Sequence, residues 1–165
     1  MKAVVVYESL WGNTAAVGKA IAESIGPEAK ALTTDQATAE AITDADLLVV
    51  GSPLIAFSLP TVKIRDNIER TEGGGAHPPD LSHPPIRSWL DALPKGQGRA
   101  AAFETRIWWS PGSAAKAILK KLESAGYTAA GKPEKFIVTG KYGPLKDGEL
   151  ERARQWGAEL AASLK

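Results

Sequence analysis

The residues best suited to chemistry lie near the start of the chain, in Ser9-Leu10-Trp11-Gly12-Asn13-Thr14. They follow a short apolar run, Ala3 to Tyr7, and lead into Val17, Ile21 and Ile25 at four-residue spacing. Strand, hydroxyl- and glycine-bearing loop, then helix is an order that builds an anion site. The first N–H groups of a helix have no partner within it, and the helix dipole makes that end positive. A phosphate placed there is held by backbone donors without a lysine. Ser9 and Thr14 can add hydroxyls, and Gly12 lets the backbone approach closely. The stretch lacks the Gly-Lys pair of a Walker loop and the G-x-G-x-x-G of a dinucleotide fingerprint, since the next glycine after Gly12 is Gly18. The competing reading is a plain strand-to-helix turn with Ser9 or Asn13 as N-cap.

Other chemistry finds less support. His77 and His83 sit in a proline-rich stretch with only Glu72 and Asp80 nearby, short of a zinc ligand set, so solvent-exposed histidines and no metal are expected. Ser9, Ser52 and Ser113 lack a G-x-S-x-G elbow, and no catalytic residue is assigned. The absence of cysteine excludes disulfides, thiolate metal sites and cysteine nucleophiles.

The chain of 165 residues suits one domain, and 44% hydrophobic with 24% charged residues is ordinary for a globular protein. A net charge of +1 gives no electrostatic case for nucleic acid or a membrane surface. Met1-Lys2 precedes a short apolar run rather than a signal-peptide core, and no run reaches membrane-spanning length. A soluble cytoplasmic protein is expected.

Continuous apolar runs at 3–7, 46–51, 99–103 and 135–139 read as strands buried on both faces, with 29–33 as a weaker edge strand. Helical patterns occupy 13–25, 36–43, 113–125 (with Ser113 as N-cap) and a last stretch from Asp147 whose buried stripe runs through Leu150, Ala153, Gly157, Leu160, Ala161 and Leu164. Five strands alternating with helices predict a doubly wound parallel α/β sheet in the order 2-1-3-4-5, with helices on both faces. Ligands bind such sheets at the carboxyl ends of the strands, where the order reverses. The loops after residues 7, 51 and 103 would meet there.

One connection is long. From Ser52 to Gly98 the chain runs 47 residues between two parallel strands. Ile86, Trp89, Leu90 and Leu93 form the helix that descends beside the sheet and stops at Pro94. Residues 52–85, with a short helix starting near Pro60, must therefore stay above the sheet as an extended excursion beside the ligand site.

With the strands placed, Tyr7-Glu8-Ser9-Leu10-Trp11-Gly12-Asn13-Thr14 resembles the flavodoxin phosphate loop: hydroxyl residue, two variable residues, glycine, one variable residue, threonine. Ala102 to Arg106, Pro111 to Ala115, and Gly143 to Leu150 look like a branch of flavodoxin-like proteins common in actinobacteria. The resemblance covers nearly the whole chain except the Gly/Pro/His-rich stretch 72–85. It implies a flavodoxin-like fold and FMN as cofactor. Ser9, Leu10, Trp11, Gly12, Asn13 and Thr14 would wrap the phosphate. Ser52, Pro53, Leu54 and Ile55 would form the second flavin loop, and Glu104, Thr105, Arg106 and the Ile107-Trp108-Trp109 stretch the third. Trp108 or Trp109 would stack on the isoalloxazine, as an aromatic of that loop commonly does in flavodoxins. The alternative has one tryptophan in the core and the other against the loop. The second loop carries no acidic residue, and Arg65 and Arg106 would lie near the site. A reduction potential less negative than that of an acidic flavodoxin is expected, unless Arg106 simply pairs with Glu104 or Glu8.

The resemblance implies an electron carrier between redox partner proteins. An NAD(P)H-dependent quinone or small-molecule reductase using FMN, with its substrate cleft under 52–85, is the alternative. A flavin-free scaffold, with Trp11 or the excursion obstructing the site, is a third.

Overall fold

The structure is a computed structural model that describes residues 1–165. Its strands are β1 (Ala3–Tyr7), β2 (Lys30–Thr33), β3 (Leu47–Pro53), β4 (Arg99–Ile107), β5 (Thr128–Ala129) and β6 (Glu134–Val138). All pair in parallel, in the expected order β2-β1-β3-β4, with the fifth position shared by β5 and β6. Arg99 and Ala100 pair with Thr128 and Ala129, whereas Phe103 to Ile107 pair with Glu134 to Val138. The Gly131-Lys132-Pro133 step interrupts that edge, where proline has no N–H for a ladder.

Alternation along each strand sends side chains to opposite faces. Val4, Val6, Leu48, Val50, Ala100 and Ala102 face one layer, made mainly by α4 (Ile86–Asp91) and α5 (Ala114–Ser124). Ala3, Val5, Leu47, Val49, Ala101 and Phe103 face the other, made by α1 (Asn13–Ile25) and α6 (Glu149–Ser163). Val5, Val6, Leu47 to Val50 and Phe103 are fully buried, which explains why these strands read as unbroken apolar runs. Burying one such side chain stabilises the fold by roughly 1.5–3 kcal/mol. The expected stripe on α6 holds, with Ala153, Gly157, Leu160 and Ala161 buried. A Cβ on Gly157 would stand 2.1 Å from Ser24 Oγ and 2.6 Å from the Ile21 carbonyl oxygen, so α6 crosses α1 at a residue that cannot be larger.

Several boundaries differ from the sequence reading, each for a local reason. The 36–43 pattern shrinks to α2 (Ala39–Ile42), because Thr38 accepts the Ala41 N–H and starts the helix late. The last helix begins at Glu149, not Asp147, since Gly148 takes a left-handed turn (φ 87°) at its N-cap. β3 runs to Pro53 and β4 to Ile107, so Ser52, Pro53, Glu104, Thr105 and Arg106 belong to strands rather than to loops. The expected cap on α5 is present: Ser113 Oγ accepts the Lys116 N–H.

The excursion carries α3 (Val62–Glu72), capped by Thr61, whose hydroxyl accepts the Ile64 N–H. No helix is long and apolar enough to cross a membrane.

Candidate functional site

At the end of β1 the chain turns sharply into α1. Neither Ser9 nor Asn13 caps the helix. Gly12 does so in a left-handed conformation (φ 91°), and Ser9 Oγ accepts the Gly12 N–H at 3.1 Å. The turn is therefore tightened by Ser9, while the first α1 N–H groups keep no side-chain cap and remain available to an anion.

One flank of α1 opens into a cavity of about 420 Å³, within the range of cofactor sites. Leu10, Trp11, Asn13 and Thr14 form the wall between β1 and α1, and Pro53, Leu54, Ile55 and Ala56 the wall beyond β3. Thr105, Arg106, Ile107 and Ser110 close the β4 side, and Ile64, Asn67 and Ile68 of α3 cover it. Thr14 Oγ1 and Thr105 Oγ1 lie 2.7 Å apart, and both residues are buried. Two hydroxyls share one hydrogen bond, so one O–H of the pair is left to donate to a ligand. The donor set, a free hydroxyl and uncapped helix N–H groups beside apolar walls, fits the phosphate and ring of a flavin mononucleotide.

Nine of the expected site residues thus meet at one cavity: Leu10, Trp11, Asn13, Thr14, Pro53, Leu54, Ile55, Thr105 and Arg106. The others lie elsewhere. Ser9 and Gly12 line the opposite flank of α1. Ser52 is fully buried in β3, with its hydroxyl donating to the Pro53 carbonyl. Glu104 is buried and occupied: it accepts the Ser113 hydroxyl (2.9 Å), the Ala115 N–H (3.1 Å) and the Arg106 guanidinium (3.1 Å), tying β4 to the start of α5. Arg106 also donates to the Gly112 carbonyl, so it faces the cavity as half of an ion pair. Trp108 and Trp109 are 74% and 65% exposed on the turn after β4 and line no part of the cavity, so neither ring is in the core. The hydrogen bond from Ser110 N–H to the Ile107 carbonyl closes that turn and leaves both rings outside.

The excursion supplies what the sequence reading did not place. Ile64, Asn67 and Ile68 stand on one face of α3 by their three- and four-residue spacing, a pattern visible in the sequence. Lys141, after β6, has no comparable signal. Just past β3, Ile55-Ala56-Phe57-Ser58 makes a two-residue hairpin in which Ala56 (φ 50°) and Phe57 (φ 75°) are both left-handed. That conformation suits a tight hairpin but is strained for side chains bearing a Cβ. It leaves Phe57 exposed next to Ala56, which lines the cavity.

The excursion is anchored from below by Glu8. This carboxylate is buried; it accepts the Ile86 N–H (2.9 Å) and pairs with Arg65 (3.2 Å). Burial pushes its pKa up, opposed by the Ile86 N–H and by Arg65. Arg65 in turn donates to the Leu81 and His83 carbonyls. Arg65 is therefore a buried structural tie rather than a charge facing a ligand.

Above the loop between β1 and α1 the excursion closes as a clasp. Trp11 Nε1 donates to the His77 carbonyl, and Asp80 N–H to the Leu10 carbonyl. The His77 ring stacks on Tyr142 at 4.4 Å, and Trp11 meets Tyr142 edge-on at 5.2 Å. Glu72 accepts from Tyr142 Oη (2.9 Å) and from Lys141 Nζ. The Lys141 ammonium holds the Glu72 carboxyl below its usual range, and donation to Glu72 pushes the Tyr142 phenol up. His83 is half-buried rather than exposed, between Asp35 (2.7 Å) and Asp80 (3.5 Å). Hydrogen bonds from the Thr33 and Ser82 hydroxyls are the main reason that the Asp35 and Asp80 carboxyls titrate low.

No protein-family model matches the chain, and no curated protein matches it by sequence. Solved structures do. A flavodoxin from the domain Archaea matches at 20% identity and TM-score 0.68 over 99% of both chains. Flavodoxin 1 from Bacillus cereus matches at 19% and 0.67 over 98% of both. The Flv1 flavodiiron core from Synechocystis sp. PCC6803 matches at 20% and 0.64 over 99% of this chain and 36% of that one. At such identities the likeness shows architecture, and with the observed strand order it establishes a flavodoxin-like α/β fold for this chain.

Proposed function

We propose that this chain binds FMN in the 420 Å³ cavity and serves as an electron carrier between protein partners in the cytoplasm, in an actinobacterial-type branch of the flavodoxins. The observation that carries the reading is the convergence of the uncapped α1 N-terminus and the Thr14–Thr105 hydroxyl pair on one apolar-walled cavity at the strand-order reversal. The phosphate sits on the α1 N–H groups with Thr14, and Pro53 to Ile55 with Thr105 to Ile107 flank the ring. The flavin, when bound, supplies the redox chemistry, and the protein supplies placement and electrostatics. Arg106 favours added negative charge on the ring, and its pairing with Glu104 moderates that effect.

The test is a visible absorption spectrum of the purified protein, with FMN fluorescence followed on mixing. Yellow protein or strong quenching supports the reading; colourless protein that leaves FMN fluorescence unchanged sinks it in favour of a flavin-free scaffold. Thr14→Val should weaken FMN binding more than riboflavin binding. A second reading, a quinone or small-molecule reductase, draws on the apolar cover of Ile64 and Ile68 over the cavity. Fast flavin reduction by NAD(P)H alone, with turnover on quinones, would favour it over a carrier.

A further inference from the structure

Three of the most exposed large apolar side chains flank residues of the proposed flavin cavity. Phe57 (68% exposed) follows Ala56, and Trp108 and Trp109 lie between Ile107 and Ser110; Ala56, Ile107 and Ser110 all line that cavity. The two segments are stitched together. Ser113 N–H donates to the Phe57 carbonyl at 3.1 Å, and a Cβ on Gly112 would stand 2.1 Å from the Phe57 carbonyl oxygen. The three residues therefore belong to one rim. The left-handed backbone at Ala56 and Phe57, unfavourable beside a Cβ, is kept without burying the Phe57 ring, so its return is to be sought outside the chain.

Size and charge say what fits this rim. Three aromatic side chains so exposed offer roughly 400 Å² of apolar surface. That is about half of what each partner of a stable interface buries, and it suits the small contact of a transient redox encounter. The free charges beside it share one sign. Residues 54–65 and 105–122 contain no carboxylate. Lys63 and Lys116 are exposed and make no ion pair, and Lys116 stands in the first turn of α5, whose N-cap Ser113 carries the bond to Phe57. Arg65 and Arg106 are tied to the buried carboxylates of Glu8 and Glu104. Asp66, further along α3, is the first carboxylate past Lys63. A second copy offering the same face would bring like charges together.

The geometry points to a docking surface for an acidic redox protein, one whose own redox group opens within an apolar patch ringed by carboxylates. The inference rests on the flavin reading and names the partner class of that same site. Phe57, Trp108 and Trp109 exclude water beside the cavity, while Lys63 and Lys116 steer the partner's carboxylates at the edge. The partner is thus opposite in charge to one drawn by a flavin site bordered with carboxylates.

Titrating the isotope-labelled full chain, with FMN added, against an oxidised acidic [2Fe–2S] ferredoxin tests this by NMR, with the basic cytochrome c as the control of opposite charge. Amide shifts should cluster at 56–58 and 107–113. The ferredoxin Kd should rise about fivefold or more between about 20 and 200 mM salt, and cytochrome c should bind about tenfold more weakly at the lower salt. Phe57→Ser combined with Trp108→Ser should weaken ferredoxin about tenfold while FMN quenching and the melting temperature stay as in the parent. Lys63→Glu combined with Lys116→Glu should weaken it about tenfold at low salt and flatten the salt dependence. No ferredoxin binding, shifts placed elsewhere, cytochrome c bound as tightly, or binding that survives the Phe57 and Trp108 changes would overturn the inference. So would a dimer in sedimentation that those two changes abolish, or flotation with anionic phospholipid vesicles, since either gives the face another occupant. Each of these results, with FMN still bound, leaves the flavin reading standing. A chain that docks ferredoxin at this rim yet binds no FMN keeps the surface and sinks the flavin reading.

Discussion

On one flank of the α1 N-terminus, the 420 Å³ cavity is walled largely by the ends of β3, β4 and β6 and the short segments that follow them. On the other, a second cavity of about 740 Å³ lies between the end of β1, the loop after it and the first turns of α1 on one side and residues 76–83 on the other, and that second segment is held by side chains far away in sequence: Trp11 and Arg65 donate to its carbonyls and Asp35 pairs with its His83. The first wall inherits its rigidity from a sheet whose residues are buried on both faces. The second depends on a few polar ties: Glu8–Arg65 beneath, Glu72–Lys141 and Trp11–His77 above, and Asp35–His83 at the side. Opening the second wall therefore leaves the sheet and the strand-built part of the first wall intact, whereas the α3 cover and Lys141 over the first cavity share the Glu8–Arg65 and Glu72–Lys141 ties.

Breaking the deepest tie should have the largest effect. Glu8→Ala leaves the Arg65 guanidinium buried without its carboxylate and the Ile86 N–H without its acceptor, a loss of about 3–5 kcal/mol. Urea unfolding should show it, and limited proteolysis should cut first within 73–85. Next, Thr105→Val strands the buried Thr14 hydroxyl and should cost about 1–3 kcal/mol while weakening FMN; a variant that unfolds like the parent yet still loses FMN would separate ligand donation from packing. Glu72→Gln loosens only the clasp, with a melting shift of about 1–2 °C at neutral pH. Because the Glu72 carboxyl titrates below its ordinary 4.5 in the folded state, its contribution is present above that value and lost as the pH falls through the folded pKa. The difference between parent and variant should therefore shrink on acidification, and a gap that widens instead would remove the clasp from the account. Least affected is Trp108→Ala, which should change stability by under about 0.5 kcal/mol and leave FMN affinity unaltered; a tenfold loss of FMN affinity would restore the stacking role expected from the sequence.

The strand-built wall was legible in the amino-acid sequence because its determinants are local. Continuous apolar runs marked β1, β3 and β4, and the Ser9–Thr14 spacing marked the turn into α1. What misled was polarity. Glu104 and Arg106 look like loop residues, yet they sit in β4 because they satisfy each other and the start of α5. Trp108 and Trp109 look like groups that need a partner, yet the Ile107–Ser110 turn places them outside. Excursion contacts were illegible for a different reason. His77 meets Trp11 and Tyr142 across 66 and 65 positions, and no periodicity encodes a pairing of that kind. Only the α3 face through Ile64 and Ile68 carried a readable pattern there.

The crossing of α6 over α1 at Gly157 has a bearing on how the chain matures. α1, whose N-terminus faces both cavities, is complete by Ile25, but its outer side is covered only when residues 149–163 arrive. A chain emerging from the ribosome therefore holds every residue of the β1–α1 loop long before it holds the helix that presses α1 against β1 and β3. The final seating of the α1 N-terminus becomes a late event in synthesis, timed by α6 rather than by the loop that precedes α1.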